Sequence, residues 1–437
     1  MDQRDTALNI FLAGVDSVIP DNLLKRYVSI YDNTLQIEKL VFDLNIVKNI
    51  YIVGAGKASA AMAETMEAIL GTRITGGHII TKYEHSVPLK HIELSEAGHP
   101  VPDENGIAGT RQILSLITKA GKDDLVICLL SGGGSALLAD VPEECTLDDL
   151  KTLSSILLKT GADITEMNCI RKHLSKVKGG QLAKAASPAT VVSLILSDVI
   201  GDPLDVIASG PTAPDPTTFA DAVSILRKYN IEKEIPGTIY KVLKAGLEKR
   251  IPETLKPTDE ILAHTHNLII GTNLLALKTA KEKAEESGYE TQIITNKLDG
   301  DVAVVSNYIF ETIKNAKSKN LNRKTCLLFA GEPTVRIQGN GLGGRNQHLA
   351  LMIAPLLKDL PGVTFLSGGT DGSDGPTDAA GAVVDSFTSK NASDLNLPIR
   401  QYISNFDSYH FFKKEGGLII TGPTQTNVMD LMVALIQ

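Results

Sequence analysis

Cysteine is scarce in this chain and never clustered. Cys128, Cys145, Cys169 and Cys326 are the only four, and no C-x-x-C pair occurs among them. That spacing fits neither a disulfide framework nor a cysteine-rich zinc site. Basic charge is also in deficit: 43 Lys and Arg stand against 51 Asp and Glu, a formal net charge of -8. Such a balance argues against a surface built to neutralise nucleic-acid phosphates, so any anion must be met by local basic groups. No apolar stretch is long enough to span a bilayer, and the first residues carry Asp2, Arg4 and Asp5 before a short amphipathic run. A cytoplasmic protein with neither a membrane nor a nucleic-acid partner is expected. H-E-x-x-H, G-x-S-x-G and Cys/His clusters are missing too, which counts against zinc hydrolases and against serine or thiol esterases. There is no short-period repeat and no low-complexity tract.

What is present is a repeated order of short apolar run, glycine-containing turn and helix-period segment, which means α/β with a largely parallel sheet. Strands are predicted at Asn49–Val53, Gly77–Lys82, Leu125–Leu130 and Thr190–Ser197, apolar on both faces as strands covered by helices are. A helix over Ala58–Leu70 follows the first of them, with Ala58, Met62, Met66 and Ile69 on one face. Pro236, Pro252 and Pro257 break the rhythm, and strands and helices resume from Asn267. With 437 residues, two domains are expected, placed at 1–240 and 241–437 with a cleft between them.

The chemistry-bearing segments are glycine turns at strand ends, where α/β sheets bind ligands. Val53-Gly54-Ala55-Gly56-Lys57-Ala58-Ser59 makes a phosphate corner, its glycines admitting an anion and Lys57 adding charge. It is not a Walker A loop, because Tyr51 replaces the leading glycine and Ala58 follows the lysine. It also fails the dinucleotide fingerprint, since Ser59 replaces the third glycine and no acid follows at Thr81-Lys82. Ser131-Gly132-Gly133-Gly134-Ser135 exposes consecutive amides able to wrap a carboxylate or a phosphate. A basic cluster between Arg171 and Lys178 reads either as a solvated face or as an anion site. Asp198 directly follows an apolar strand, the place for a magnesium carboxylate or simply a turn-forming Asp. Gly343-Gly344-Arg345-Asn346 brings a guanidinium out of a flexible glycine loop, suited to fork onto phosphate oxygens. Asp371, Asp374 and Asp378 crowd one loop whose spacing is not that of an EF-hand; magnesium or a substrate hydroxyl is the expected ligand.

Taken in order, GAGKAS, SGGGSALL, RKHLSKVKGGQLA, SDVIGDPLDVIASGPT, GGRNQHLAL, SGGTDGSDGPTDAAGA and TGPTQTNVMDL resemble the two-domain glycerate kinases of the MOFRL type, from about Leu8 onward. The match departs at Gln425, where the family has glycine, and in the short turn Ala330-Gly331-Glu332-Pro333-Thr334. The resemblance implies a Rossmann-like N-terminal domain with a parallel sheet, a second α/β C-terminal (MOFRL) domain and a site in the cleft between them. It implies transfer of a phosphoryl group from ATP, with Mg2+, to D-glycerate, giving 2-phosphoglycerate. Lys57, Arg345 and Asp198 are the implied catalytic residues. Gly54, Gly56, Ser131, Gly132, Gly133, Gly134, Ser135, Arg171, Lys178, Asn346 and Asp371 are the implied substrate or nucleotide contacts, and Asp198, Asp371 and Asp374 the implied metal ligands. If the SGGGS loop with Arg171 and Lys178 clamps the glycerate carboxylate, the neighbouring C2 hydroxyl is the better-held nucleophile. The partners are small molecules, and a homodimer is left open. Two rival readings are a NAD(P)-dependent hydroxy-acid oxidoreductase, suggested by G-x-G at the first strand turn, and a non-catalytic sugar-phosphate or carboxylate binder.

Overall fold

The computed structural model describes residues 2–319 and 323–437, and the chain divides into two units. One is Leu23–Ile270; the other joins the chain up to Asn22 with Gly271–Gln437. The expected boundary at 240/241 is therefore displaced, for two reasons. The helix Gly237–Leu247 buries Ile239 and Leu243 in the same apolar cluster as Leu153, Ile170 and Phe219, so it cannot leave the first unit. The helix Gln3–Asp16 belongs instead with the later chain: Arg4 pairs with Asp385 and Glu415 at 2.6 and 3.1 Å, and Phe11 fills the space over Gly368.

The first unit opens with a three-stranded antiparallel meander, β1 (Val28–Tyr31), β2 (Thr34–Ile37) and β3 (Leu40–Asp43). Its main sheet holds β4 (Ile50–Ala55), β5 (Gly76–Lys82), β6 (Glu93–Ala97), β7 (Leu125–Leu130), β8 (Thr190–Leu196) and β9 (Thr265–Gly271) in the order β6-β5-β4-β7-β8-β9. The strands from β6 to β8 pair in parallel. Numbered within the unit, this is the 3-2-1-4-5-6 order of the Rossmann fold. Every residue of β7 is buried, which is why it reads as an unbroken apolar run. The helix Ser59–Leu70 packs Ala60, Met62, Ala63, Met66 and Leu70 out of solvent.

The second unit carries a mixed sheet: β10 (Glu290–Leu298), β11 (Thr325–Gly331), β12 (Val363–Gly369), β13 (Gly381–Asp385), β14 (Leu418–Ile419) and β15 (Asp430–Ile436). The order is β10-β11-β15-β12-β13-β14. Among the described strands of this sheet only β10 and β11 run parallel; β15 lies antiparallel to both β11 and β12 at the centre. The expectation of a second α/β domain holds, with a sheet that is mostly antiparallel. No single helix among the described residues is long and apolar enough to cross a membrane. The bent pair Gln3–Asp16 and Pro20–Tyr27 comes nearest, but Ala7, Ile10, Phe11, Leu23 and Leu24 bury its apolar side inside the protein.

Candidate active site

In the first unit the chain leaves β4 to build β5 and β6 on one side, then crosses back to place β7 on the other. The carboxyl ends of β4 and β7 therefore flank the point where strand order reverses, where open α/β sheets take ligands. GAGK follows β4 and SGGGS follows β7, and the two loops are tied together. The Lys57 amide donates to the Gly132 carbonyl at 2.9 Å, the Ala58 amide to Ser131 Oγ at 3.0 Å, and Ser59 Oγ to the Leu129 carbonyl at 3.0 Å. Glycine at position 56 is required by this closeness: its φ is +148° and a Cβ there would lie 2.0 Å from Ser131 Oγ.

Further groups gather at the same edge. Lys82 ends β5, His99 follows β6, and Asp198 follows β8. His99 packs against Gly133, whose absent Cβ would meet the imidazole at 2.9 Å and the Lys57 stem at 3.6 Å. Burial, reinforced by the charges of Lys57, Lys82 and His85, lowers the His99 pKa to about 4, leaving a neutral ring in a cationic corner. Lys57 is half-buried. Ser135 Oγ lies 2.7 Å from Ser209 Oγ, and Ala208 and Ser209 hold positive φ of 51° and 61° against the SGGGS loop. Non-glycine residues adopt such angles only where surroundings impose them.

The basic cluster divides by role. Lys172 is internal, between Asp205 at 3.1 Å and Asp215 at 3.5 Å, with Thr254 donating to Asp215 at 2.9 Å. His173 is structural as well, its Nδ1 2.7 Å from the Cys169 carbonyl and its ring edge-on to Phe219. These contacts fix the helix Ile164–His173, whose start is closed by a capping box of Asp163 and Glu166. From that anchored helix Arg171 reaches a cavity of about 620 Å³, lined also by Gly133, Ser135, His99 and Lys178. Lys178 Nζ donates to the Leu138 carbonyl at 2.5 Å and sits 3.7 Å from Asp140. Burial lowers the pKa of both cations.

In the second unit, Arg345 opens the helix Arg345–Ile353 and grips Asp430 in a two-pronged pair, Nε to Oδ2 at 2.6 Å and Nη2 to Oδ1 at 3.0 Å. Its Nη1 reaches Glu332 at 2.9 Å. Burial disfavours the cation, yet Asp430, Glu332 and Asp374 hold its pKa above the ordinary guanidinium value. Burial raises the Asp430 carboxyl, with Arg345 pulling it partly back. Asp371, at the loop following β12, lies against the same corner: a Cβ on Gly369 would meet Asp371 Oδ1 at 3.2 Å and Asp430 Oδ1 at 3.5 Å.

Two expected ligands have other duties here. Asp374 is expected among the metal ligands, but its Oδ1 accepts from the Asn346 amide at 3.0 Å and its Oδ2 from the Gln347 amide at 2.8 Å. It thereby caps a helix whose N-cap position is Gly344, which has no side chain to do so. Burial, against those donors, pushes its carboxyl up to about 6. Asn346, expected to contact substrate, is buried, with Oδ1 accepting from Ser367 at 2.6 Å. Sequence reasoning misses Asp430, His99 and Lys82. Gly98-His99-Pro100 is an ordinary loop in sequence, and the partner that gives Asp430 its meaning is 85 positions away.

Among the described residues no group of three or more His, Cys, Asp or Glu is gathered to hold a metal ion. Mg2+ in phosphoryl-transfer sites needs only one or two protein carboxylates beside substrate phosphates. Asp198 in the first unit and Asp371 in the second are each half-buried just beyond a strand end, the position such a carboxylate takes, whereas both oxygens of Asp374 accept from the amides that open a helix.

A Rossmann-type sheet with paired glycine loops and a cationic corner at its switch point, together with a second unit carrying an anchored arginine, defines an anion-handling α/β protein with the parts of a small-molecule phosphotransferase. Comparison with known proteins narrows the class. Residues 6–244 match the family model described as "Domain of unknown function (DUF4147)", and residues 325–430 match the MOFRL family. A D-glycerate 2-kinase from Thermotoga maritima is 43% identical over 436 residues, covering 99% of this chain and 98% of that protein. A glycerate 2-kinase from Pyrococcus horikoshii is 38% identical over 440 residues, covering 100% and 98%. The crystal structure of glycerate kinase from Thermotoga maritima superposes with a TM-score of 0.87 at 41% identity, covering 99% of each chain. The chain belongs to the two-domain glycerate kinase family of the MOFRL type.

Proposed function

We propose that this protein transfers the γ-phosphoryl group of ATP to D-glycerate and that the product is 2-phosphoglycerate. The observation that carries the transfer is the joining of GAGK and SGGGS at the switch point, with Lys57 and the neutral His99 beside them. Phosphoryl transfer asks a protein mainly for positioning and charge neutralisation. Backbone amides of Gly132–Ser135 and the Lys57 ammonium supply both for an anionic substrate in the first unit, and the second unit carries a cation of its own, Arg345, oriented by Asp430. The C2 position is supported by the names of the Thermotoga and Pyrococcus relatives, both 2-kinases. It also has a physical rationale, since a carboxylate held at the loops immobilises the adjacent C2 hydroxyl more than the C3 hydroxyl, which keeps an extra rotatable bond.

Mg2+ would accompany the nucleotide and neutralise developing charge on its phosphates. Asp198 of the first unit and Asp371 of the second are the two candidate carboxylates for it, and if Asp371 is the ligand, Asp371→Asn should raise the Mg2+ requirement more than the glycerate requirement. The oxidoreductase alternative is disfavoured because β5 ends in Lys82, a cation where a nicotinamide dinucleotide site places its ribose-binding acid. The test is glycerate-dependent ADP release, followed by coupling to enolase with and without phosphoglycerate mutase. Enolase signal without mutase is expected; a signal that requires mutase makes the product 3-phosphoglycerate, and no ADP release sinks the kinase reading.

A further inference from the structure

The cavity of about 620 Å³ beside the SGGGS loop is far larger than a three-carbon hydroxy acid needs. Its walls are also of the wrong kind for one. Leu147, Leu150, Leu153 and Leu158 come from the helix Leu147–Thr160, and Met167 faces them from the helix Ile164–His173. At its rim three large apolar side chains stand in solvent: Val101 is 60% exposed, Leu158 67% and Ile164 58%. One end differs. There Arg171 and Lys178 accompany the single carboxylate of the lining, Asp140, whose oxygens accept from Ser175 Oγ at 2.6 Å and from the Lys176 amide. Lys178 is the cation nearest Asp140, at 3.7 Å. Arg171 has no carboxylate or hydrogen-bond partner among the described residues, although it is half-buried. A guanidinium held in that state on an anchored helix is a site waiting for an anion.

We infer that this cavity receives the nucleoside of the phosphoryl donor, its base between the two helices and its phosphates running past Arg171 and Lys178 toward Gly133 and Ser135. The inference rests on the phosphoryl-transfer reading and adds which element binds which substrate. The apolar walls take the flat heterocycle, Arg171 takes the oxygens of a non-transferred phosphate, and the chain of phosphates ends beside Lys57. Arg171 and Lys178 then serve the donor instead of the glycerate carboxylate, which is left to the loops. Ser154, half-buried on the cavity-lining helix, is the position at which a larger side chain fills the space without entering the core.

The test is calorimetric titration of the intact protein with the non-hydrolysable β,γ-imido analogue of ATP. Ser154→Phe should weaken binding at least tenfold, and Leu158→Glu at the exposed rim about threefold. Arg171→Ala should weaken ADP at least tenfold while leaving adenosine within twofold. The KM for glycerate should stay within threefold of wild type in all three. Leu158→Glu alters an exposed rim side chain and Arg171→Ala removes one that no described side chain pairs with, so they decide the matter if Ser154→Phe fails to fold. Folded variants that bind the analogue as wild type does overturn the placement. Glycerate-dependent ADP release by the unaltered protein is read in parallel: ADP release with unchanged nucleotide affinity in the variants defeats the site and leaves the kinase reading standing. Nucleotide binding lost in the variants, with no glycerate-dependent ADP release from the unaltered protein, upholds the site and defeats the acceptor reading.

Discussion

Removing the Asp430 carboxylate tests whether Arg345 is a prepared catalytic group or merely a surface ion. Asp430 is 1% exposed and takes both prongs of the guanidinium, whereas the Arg345 side chain is 34% exposed and keeps Glu332. Deleting one partner of a buried pair costs about 3–5 kcal/mol; partial solvent access and the remaining Glu332 bring the expectation for Asp430→Ala to roughly 2–3 kcal/mol. In a unit of this size that is about 5–10 °C in Tm. The same change frees the guanidinium to rotate, so kcat should fall by roughly ten- to a hundredfold, with less change in KM. Arg345→Ala leaves the opposite fault, a buried carboxyl without its cation. Its folded pKa then lies well above the unfolded value, the native state binds the extra proton, and stability falls as pH rises above about 4. Asp430→Asn added to Arg345→Ala removes that group and should flatten the profile. Urea denaturation of the wild type, Asp430→Ala, Arg345→Ala and the variant carrying both alanines closes the cycle, with a coupling of about 1.5–3 kcal/mol expected. A coupling within about 0.5 kcal/mol of zero refutes the idea that the two side chains act as one unit.

Lys57→Ala should leave a folded protein with the glycerate-dependent rate reduced on the order of a hundredfold or more; near-normal turnover removes Lys57 from the mechanism. His348 is buried against Phe406 with ring centroids 4.5 Å apart, and burial lowers its pKa to about 4. The unfolded state therefore binds the extra proton between about 6.5 and 4, so stability falls as pH drops through that window, and His348→Phe should shrink the difference between urea midpoints at pH 7 and pH 5. Gly56→Ala should give insoluble or inactive protein, because the new Cβ must displace Ser131 at the junction of the two loops; full activity on soluble protein contradicts the geometry. Gln425 holds a φ of +60°, a conformation a glycine adopts freely, so Gln425→Gly should raise stability by roughly 0.5–1 kcal/mol in the same urea assay.

The parallel sheet was legible because its strands announce themselves locally. β7 is an apolar run buried throughout and β8 is a mainly apolar one buried from Val191 onward, each followed by a turn of distinctive composition. The antiparallel half of the second unit was not. β15 ends a motif as the apolar run Leu431–Ile436, and nothing near it in the chain says that it fits between β11 and β12. Both partners lie far upstream, and pairing at such separations leaves no local pattern. β13 and the β1–β3 meander escaped for the same reason, short strands with partners set by turns and not by a distinctive period. In the site, glycine spacing located GAGK and SGGGS, because a backbone that must approach another backbone leaves a compositional mark. Carboxylates leave no such mark. Asp371, Asp374 and Asp378 look alike in one loop, and only the fold separates the one that caps a helix from the one that lies beside Arg345 and Asp430.

The division of the chain also sets a timetable for its synthesis. Leu23–Ile270 is contiguous and can fold while the ribosome is still translating the second unit. The helix Gln3–Asp16 is translated before that unit and yet must wait, because the Gly368 surface that covers its Phe11 is translated only with β12. The second sheet cannot close until β15 emerges, because β15, translated after the sheet's other described strands, is the one that sits at its middle. A nascent chain stalled before Asp430 would present the facing edges of β11 and β12 unpaired, the state most open to chaperones and to aggregation.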